Sequence, residues 1–280
     1  MKEAIESLHE RWASTEDRAV FRITGPDRVR YLNGQVTNDV SKDLTQQSIA
    51  ACLCSIKGKV EALVWISATE DELILDGELS QREELLNRLD RYLIADDCDI
   101  IDETGRLKLV HHFDESQSGV SSCRVGLKGR DLWLPPEDIP SAFKSASRIS
   151  AAEYRLASVI AKVPRRGYEI DGNRFPAELG LDRWAVDFHK GCYLGQEIVS
   201  RIESAGRVKK ILRLLKSEKP VEPGENIKNS LGENGKITGP FELYEPGSWI
   251  GLGLFKRHLN QYNPSDYQAL AFEIAQAPQE

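Results

Sequence analysis

An α+β architecture is what the sequence predicts, and three observations predict it. Residues 19–102 run strand, helix, three strands, helix, strand, which suits helices laid on one face of a mainly antiparallel sheet. Residues 106–217 mix weaker strands with two helical stretches. Beyond 218, glycine and proline punctuate short strands, the pattern of a small all-β barrel or sandwich. A chain of 280 residues exceeds one typical domain, and divisions at 1–105, 106–217 and 218–280 are expected.

The elements follow in order. Residues 2–18 place Ile5, Leu8 and Trp12 at helical spacing. Ala19–Thr24 reads as a strand. Gly25-Pro26-Asp27 then opens a helix through Val29 and Leu32, which Asn33-Gly34 stops. Ser48–Ile56 is an apolar run with no polar alternation. Lys57-Gly58 turns the chain, and residues 59–67 return with Val60, Ala62, Val64 and Ile66 on one face, completing a hairpin. Residues 72–76 form another strand. Ser80 and Glu83 make a capping-box pattern ahead of the stripe Leu85, Leu86, Leu89, Tyr92 and Leu93. A strand at 99–102 closes this part. Weaker strands are expected at 107–113, 123–127 and 131–134, helices at 140–146 and 151–163, and a strand at 207–215.

Composition narrows the function. Hydrophobic content of 40% suffices for a sizeable core, and a formal charge of −7 opposes a nonspecific grip on phosphates. The basic residues Arg201, Arg207, Lys209, Lys210, Arg213 and Lys216 read as a mixed, solvated strand face, so no direct nucleic-acid binding is expected. Neither a signal peptide nor a membrane span is legible. Five cysteines without regular spacing suggest free thiols in a reducing compartment, and the cytoplasm is the expected location. There is no Walker loop, dinucleotide fingerprint or nucleophile elbow. Cys52-x-Cys54 puts two thiols on one strand face, where core burial explains them better than a metal. His111 and His112 point to opposite faces.

The chemistry concentrates in His189-Lys190-Gly191-Cys192-Tyr193-Leu194-Gly195-Gln196-Glu197. Gly195 is the last non-helical residue before a helix that starts at Gln196. A cysteine ahead of a helix N-terminus, with an ammonium two residues away, has its thiolate favoured. The alternative is a small residue in a tight turn. His189 could pair with Cys192. Glu197 could act as a base or simply cap the helix.

Lys190–Glu197 is similar to the K-G-C-[YF]-x-G-Q-E motif of the YgfZ-type folate-binding proteins, relatives of the glycine-cleavage T protein, a tetrahydrofolate-dependent aminomethyltransferase. Residues 31–40 resemble that family's F/Y-L-x-x-Q-x-T-x-D-V segment. Lys57-Gly58-Lys59 looks like its hairpin turn, and Pro176-Ala177-Glu178 and Arg201 fall in order. The resemblance spans roughly residues 18–258. It implies a ring-like arrangement: a ferredoxin-like N-terminal half, a second α/β part and a C-terminal β-barrel around a central hole holding a folate. It further implies an accessory role in maturation or repair of iron–sulfur proteins, with consequences for tRNA modification, and iron–sulfur proteins or their assembly factors as partners. Cys192 would be the functional thiol, with Lys190 and Glu197 beside it. Tetrahydrofolate would be held by Tyr31, Asn33, Gln35, Trp184, Gly195, Gln196 and Arg201. No metal is implied.

Two departures qualify the transferase alternative. Glu61-Ala62 stands where relatives carry paired acids, which argues against aminomethyl transfer. Ile160-Ala161-Lys162-Val163-Pro164 stands where relatives often read E-A-G-x-P, so the carboxylate expected to meet the pterin is missing. The remaining alternative is a binding scaffold in which the motif only shapes a turn.

Overall fold

A computed structural model describes residues 11–15, 18–113, 115, 118–139, 147–206, 208–228 and 234–256. Its centre is a five-stranded antiparallel sheet built from β2 (Arg18–Thr24), β3 (Ile49–Cys54), β4 (Val60–Ala68), β5 (Leu73–Glu78) and β6 (Asp99–Asp102), in the order β3-β4-β5-β2-β6. Helices α1 (Arg28–Gln35) and α2 (Arg82–Tyr92) cover one face, burying Phe21, Leu32, Val64, Leu75, Leu85 and Leu89 against each other. The element order read from residues 19–102 is the observed one.

The opposite face is also covered. Cys52, Cys54, Leu63 and Trp65 pack against Val159, Leu181, Leu212 and Leu252 from later in the chain. Burial on both faces explains why residues 48–56 carry no polar alternation. It also disposes of Cys52 and Cys54, which are 0% exposed, and burial pushes the Cys52 thiol up to about 12.

A second sheet joins β1 (Arg11–Thr15), β7 (Lys108–His112), β8 (Val120–Ser122), β9 (Gly129–Leu134) and β10 (Ser147–Arg148) in the order β10-β1-β7-β9-β8, with only β1 and β10 parallel. Here the sequence expectations need correction. Residues 11–15 are a strand rather than helix, because β7 supplies ladder partners from Leu109 to His112. The weak strand lies at 120–122 and not 123–127. The latter is a loop that turns Arg124 inward, 2% exposed, onto Asp76 and Asp131. Ser80 does not cap α2; it sits within a short 3-10 turn, Leu79–Gln81, that leads into the helix. The true capping box is Ser150–Glu153, at the start of α3 (Ala151–Ile160). The expected helix at 140–146, and all of 2–10, lie outside the described residues.

The polar joint between the first two sheets is Arg124. Its guanidinium donates to Asp76 Oδ1 and Oδ2 at 2.9 and 2.6 Å and to Asp131 Oδ2 at 2.7 Å. Asp131 Oδ1 accepts from Ser122 and lies 2.8 Å from His111 Nδ1, and Arg18 adds a second cation on Asp76.

The C-terminal unit corrects the expected barrel. The nine-residue strand β15 (Ser248–Lys256) pairs along one edge with β11 (Lys210–Ser217). Its other edge is shared by β13 (Asn234–Ile237) and β14 (Glu242–Glu245), with β12 (Asn226–Lys228) outside β13. Both edges of β15 are consumed without β11 meeting β12 or β14, so among the described residues this sheet stays open. Altogether the fold is mixed α+β with several antiparallel sheets. No helix among the described residues is long and apolar enough to cross a membrane.

Candidate functional site

Beyond the short helix α4 (Pro176–Leu179), the nine-residue motif lies between the end of α1 and the start of α5 (Gln196–Ala205), and Lys190 fastens it. Helix termini leave carbonyls without intrahelical partners. Lys190, 9% exposed, donates from Nζ to three main-chain carbonyls, Asn33 at 2.7 Å, Val36 at 2.8 Å and Asn38 at 2.7 Å. Its ammonium also sits 5.3 Å from the Tyr193 ring centroid. Burial pushes the Lys190 pKa down to about 8, with Asp39 and Asp187 acting in the opposite direction. Neighbouring bonds reinforce the latch. The Leu194 amide donates to the Gly34 carbonyl, the Asp187 amide to the Thr37 carbonyl, and the Thr37 hydroxyl to the Ala185 carbonyl.

A second fastening joins two segments that are distant in sequence. Gly195 holds φ +85°, and a Cβ there would collide with the Ser55 carbonyl and approach the Gly58 Cα at 3.1 Å. Gly58 holds φ +70°, and a Cβ on it would meet Ile198 and Val199 at 3.1 and 3.2 Å. The β3–β4 turn and the start of α5 therefore touch backbone to backbone, a closeness that side chains would prevent. Gln196 completes the turn, its side-chain oxygen accepting from the Tyr193 amide at 3.4 Å.

Between these fastenings Cys192 is exposed. It lines an open cleft of about 580 Å³ together with Gly34, Gln35, Ile56, Tyr92 and the stretch 193–198. The other sequence candidates divide. Gln35, Gly195, Gln196 and Glu197 reach the cleft lining. Glu197 is 81% exposed and pairs with Arg201 at 2.5 Å one turn on, a surface pair worth about 0.3–0.5 kcal/mol. It stands in the first turn of the helix, where its carboxylate accepts from Arg201. Tyr31 is not in the lining: it is 2% exposed, with its hydroxyl donating to the Leu89 carbonyl at 2.7 Å between α1 and α2. The Asn33 side chain accepts from the Val40 amide at 3.1 Å. Trp184 packs on Trp65 with ring centroids 6.5 Å apart. His189 is exposed, its amide donates to Asp187, and no hydrogen bond joins it to Cys192 among the described residues.

The folate expectation can be tested on these placements. Tyr31 spends its hydroxyl and Asn33 its amide oxygen on the protein's own backbone, Trp184 packs against Trp65, and Ile160 supplies no carboxylate. Of the side chains expected to hold the cofactor, only Gln35 and Gln196 line the cleft. The side chains named for the cofactor thus do not gather around this cleft, and no step is routed through folate below.

Lys162 adds a related peculiarity. It is the one non-glycine residue with positive φ, +54°, among those described. Its amide donates to the Val159 carbonyl and that of Val163 to Ser158, the paired bonds that end a helix in a left-handed residue. Glycine is the natural occupant of such a position. Lys162→Gly is expected to raise the unfolding free energy by about 1 kcal/mol. Urea denaturation checks this, and an unchanged or lowered midpoint contradicts it.

Sequence reasoning missed two contributors. Thr37 bridges the latch to β3, accepting from the Cys52 amide at 2.8 Å. Arg88 on α2 backs the cleft wall and holds Gln35. Thr37 falls inside the recognised segment 31–40, so a signal existed; Arg88 had none.

No family model matches the chain. In a search of solved structures it superposes on the glycine cleavage system aminomethyltransferase T from Bartonella henselae with a TM-score of 0.73, covering 90% of this chain and 81% of that one at 14% identity. The fold is therefore that of the glycine cleavage T protein. Among curated proteins, the tRNA-modifying protein YgfZ of Cronobacter sakazakii is 29% identical over 259 residues, 81% of this chain and 78% of the relative. The chain is thus similar in sequence to a YgfZ protein and shares its fold with the glycine cleavage T protein.

Proposed function

We propose that this chain is an accessory protein in the maturation or repair of iron–sulfur proteins, acting through tRNA modification or alongside it, with Cys192 as its working thiol. The observation that carries this reading is the contrast between Cys192 and what surrounds it. An exposed thiol sits at the edge of a cleft, on a loop held by three ammonium–carbonyl bonds and a glycine–glycine contact. Rigid support for an exposed group fits presentation better than packing, since a residue that only shapes a turn has no need of a sulfur. The name of the YgfZ relative supplies the tRNA-modification context. A tetrahydrofolate-dependent aminomethyl transfer finds less support. Glu61, the single acid left at the hairpin, is drawn to Arg88 at 3.6 Å.

The residues divide the work as follows. Lys190 uses all three N–H bonds on carbonyls, so it positions the loop and does not itself shuttle protons. Glu197 stands at the cleft margin with Arg201. Cys192 offers the nucleophile, and its partners are proteins carrying iron–sulfur clusters or their assembly factors. The test is genetic. In a strain lacking its own copy, Cys192→Ser is expected to fold as wild type and to leave iron–sulfur enzyme activity and tRNA thiomodification unrestored.

A further inference from the structure

The cleft wall formed by α1 and α2 carries a group whose orientation is fixed by chemistry. Arg88 has a side chain only 10% exposed, and its guanidinium lies 4.2 Å from the Tyr92 ring centroid. Its Nη1 donates to Gln35 Oε1 at 2.8 Å. A guanidinium only donates, so the amide oxygen of Gln35 must be the atom turned toward it. The amide Nε2 is then the free end. It has no hydrogen-bond partner among the described residues and is not among their buried unpartnered atoms, while Gln35 itself lines the cleft with Cys192. The same Arg88 lies against the ring of Tyr92, a residue that is also in the lining.

We infer that Arg88 is a positioning residue that sets Gln35 as a hydrogen-bond donor in the Cys192 cleft, so that the molecule met by this thiol carries a carboxylate next to the atom that reacts, since an ionised acceptor binds such a donor more strongly than a neutral one. The inference deepens the reading of Cys192 as the working thiol and rests on it. Without Arg88 the amide could rotate and offer either end. With it, the wall discriminates between ligands of equal size by whether their acceptor is an ionised carboxylate or a neutral amide.

Two alkylating probes of similar size read this directly. Iodoacetate carries a carboxylate next to its reactive carbon, and iodoacetamide carries a neutral amide. Both form the same sulfur–carbon bond with Cys192, displace iodide and consume the same thiolate, so the ratio of their rates cancels thiol ionisation and exposure. N-acetylcysteine gives the reference ratio. In the full-length wild type the iodoacetate-to-iodoacetamide ratio, followed at Cys192 by peptide mass spectrometry, is expected to exceed the reference by about fivefold, the scale of one modest hydrogen bond. Gln35→Met, which keeps length and removes the donor, should return it to the reference. Arg88→Met should do the same by releasing the amide. Gln35→Glu, which keeps a partner for Arg88 and presents an acceptor instead, should push the ratio below the reference and guards against loss of fold. A wild-type ratio equal to the reference, or one that Gln35→Met leaves unchanged, overturns the inference. Whether Cys192 works in the cell is decided separately by the rescue experiment, so the two readings fail independently.

Discussion

Replacing Lys190 by methionine is expected to lower the unfolding free energy by about 3–4 kcal/mol and to loosen the Cys192 loop. Methionine fills much of the same volume but leaves the carbonyls of Asn33, Val36 and Asn38 without the donor they share. Each stranded buried acceptor costs about 1–3 kcal/mol, and water reaching the half-buried Asn33 and Asn38 recovers part of the sum. Urea denaturation gives the energy. Hydrogen exchange at the Leu194 and Asp187 amides, which bond to the same α1 terminus, reports the loosening. A loss below about 1 kcal/mol with those amides still protected contradicts the latch. The pH dependence has a definite sign. Burial lowers the Lys190 pKa in the folded state to about 8 from its ordinary 10.5, so between those values the unfolded chain holds more protons. Wild-type stability therefore gains a contribution as pH rises through this window, and Lys190→Met lacks that gain.

Arg124→Met is expected to cost about 3–5 kcal/mol, because it breaks a buried ion cluster on one side only. Asp76 and Asp131 stay behind at 1% and 2% exposure, partly covered by Arg18, His111 and Ser122. For Asp131, burial favours the neutral acid, but Arg124, His111 and Ser122 outweigh it and hold the carboxyl below its usual value. A depressed carboxyl gives stability that is present above the unfolded pKa and lost as pH falls through the folded one. The difference between wild type and Arg124→Met should therefore shrink on acidification below about pH 4. Urea melts at neutral and acid pH measure it, and a penalty below about 1 kcal/mol at neutral pH contradicts the account. The site should be affected less than the stability, since Arg124 ties β5 to the second sheet and not to the cleft.

What the sequence makes legible follows from where information is local. The hairpin at 48–67 and the helix stripe of Leu85 and Leu89 are visible because periodicity reports which face is buried. Cys192, Gly195 and Gln196 are visible because a dense motif keeps its order. Closure of the C-terminal sheet is not, since it depends on how β15 distributes its two edges among distant strands. The strand at 11–15 reads as helix because its apolar spacing suits either, and only β7 decides. Tyr31 reads as a ligand contact because motif membership does not separate a residue that touches the site from one that holds α1 against α2. Arg88 is invisible for the opposite reason: a lone arginine on a helix acquires meaning only when folding brings Gln35 and Tyr92 to it.

The central claim is that the latched loop exists to present Cys192. The most direct measurement is side-by-side complementation by wild type, Cys192→Ser and Cys123→Ser, with Cys123 as the second exposed thiol among the described residues serving as control. Iron–sulfur enzyme activity and tRNA thiomodification are read in a strain lacking its own copy, with equal protein levels confirmed. The account predicts full rescue by Cys123→Ser and none by Cys192→Ser. Rescue by Cys192→Ser equal to wild type would contradict it.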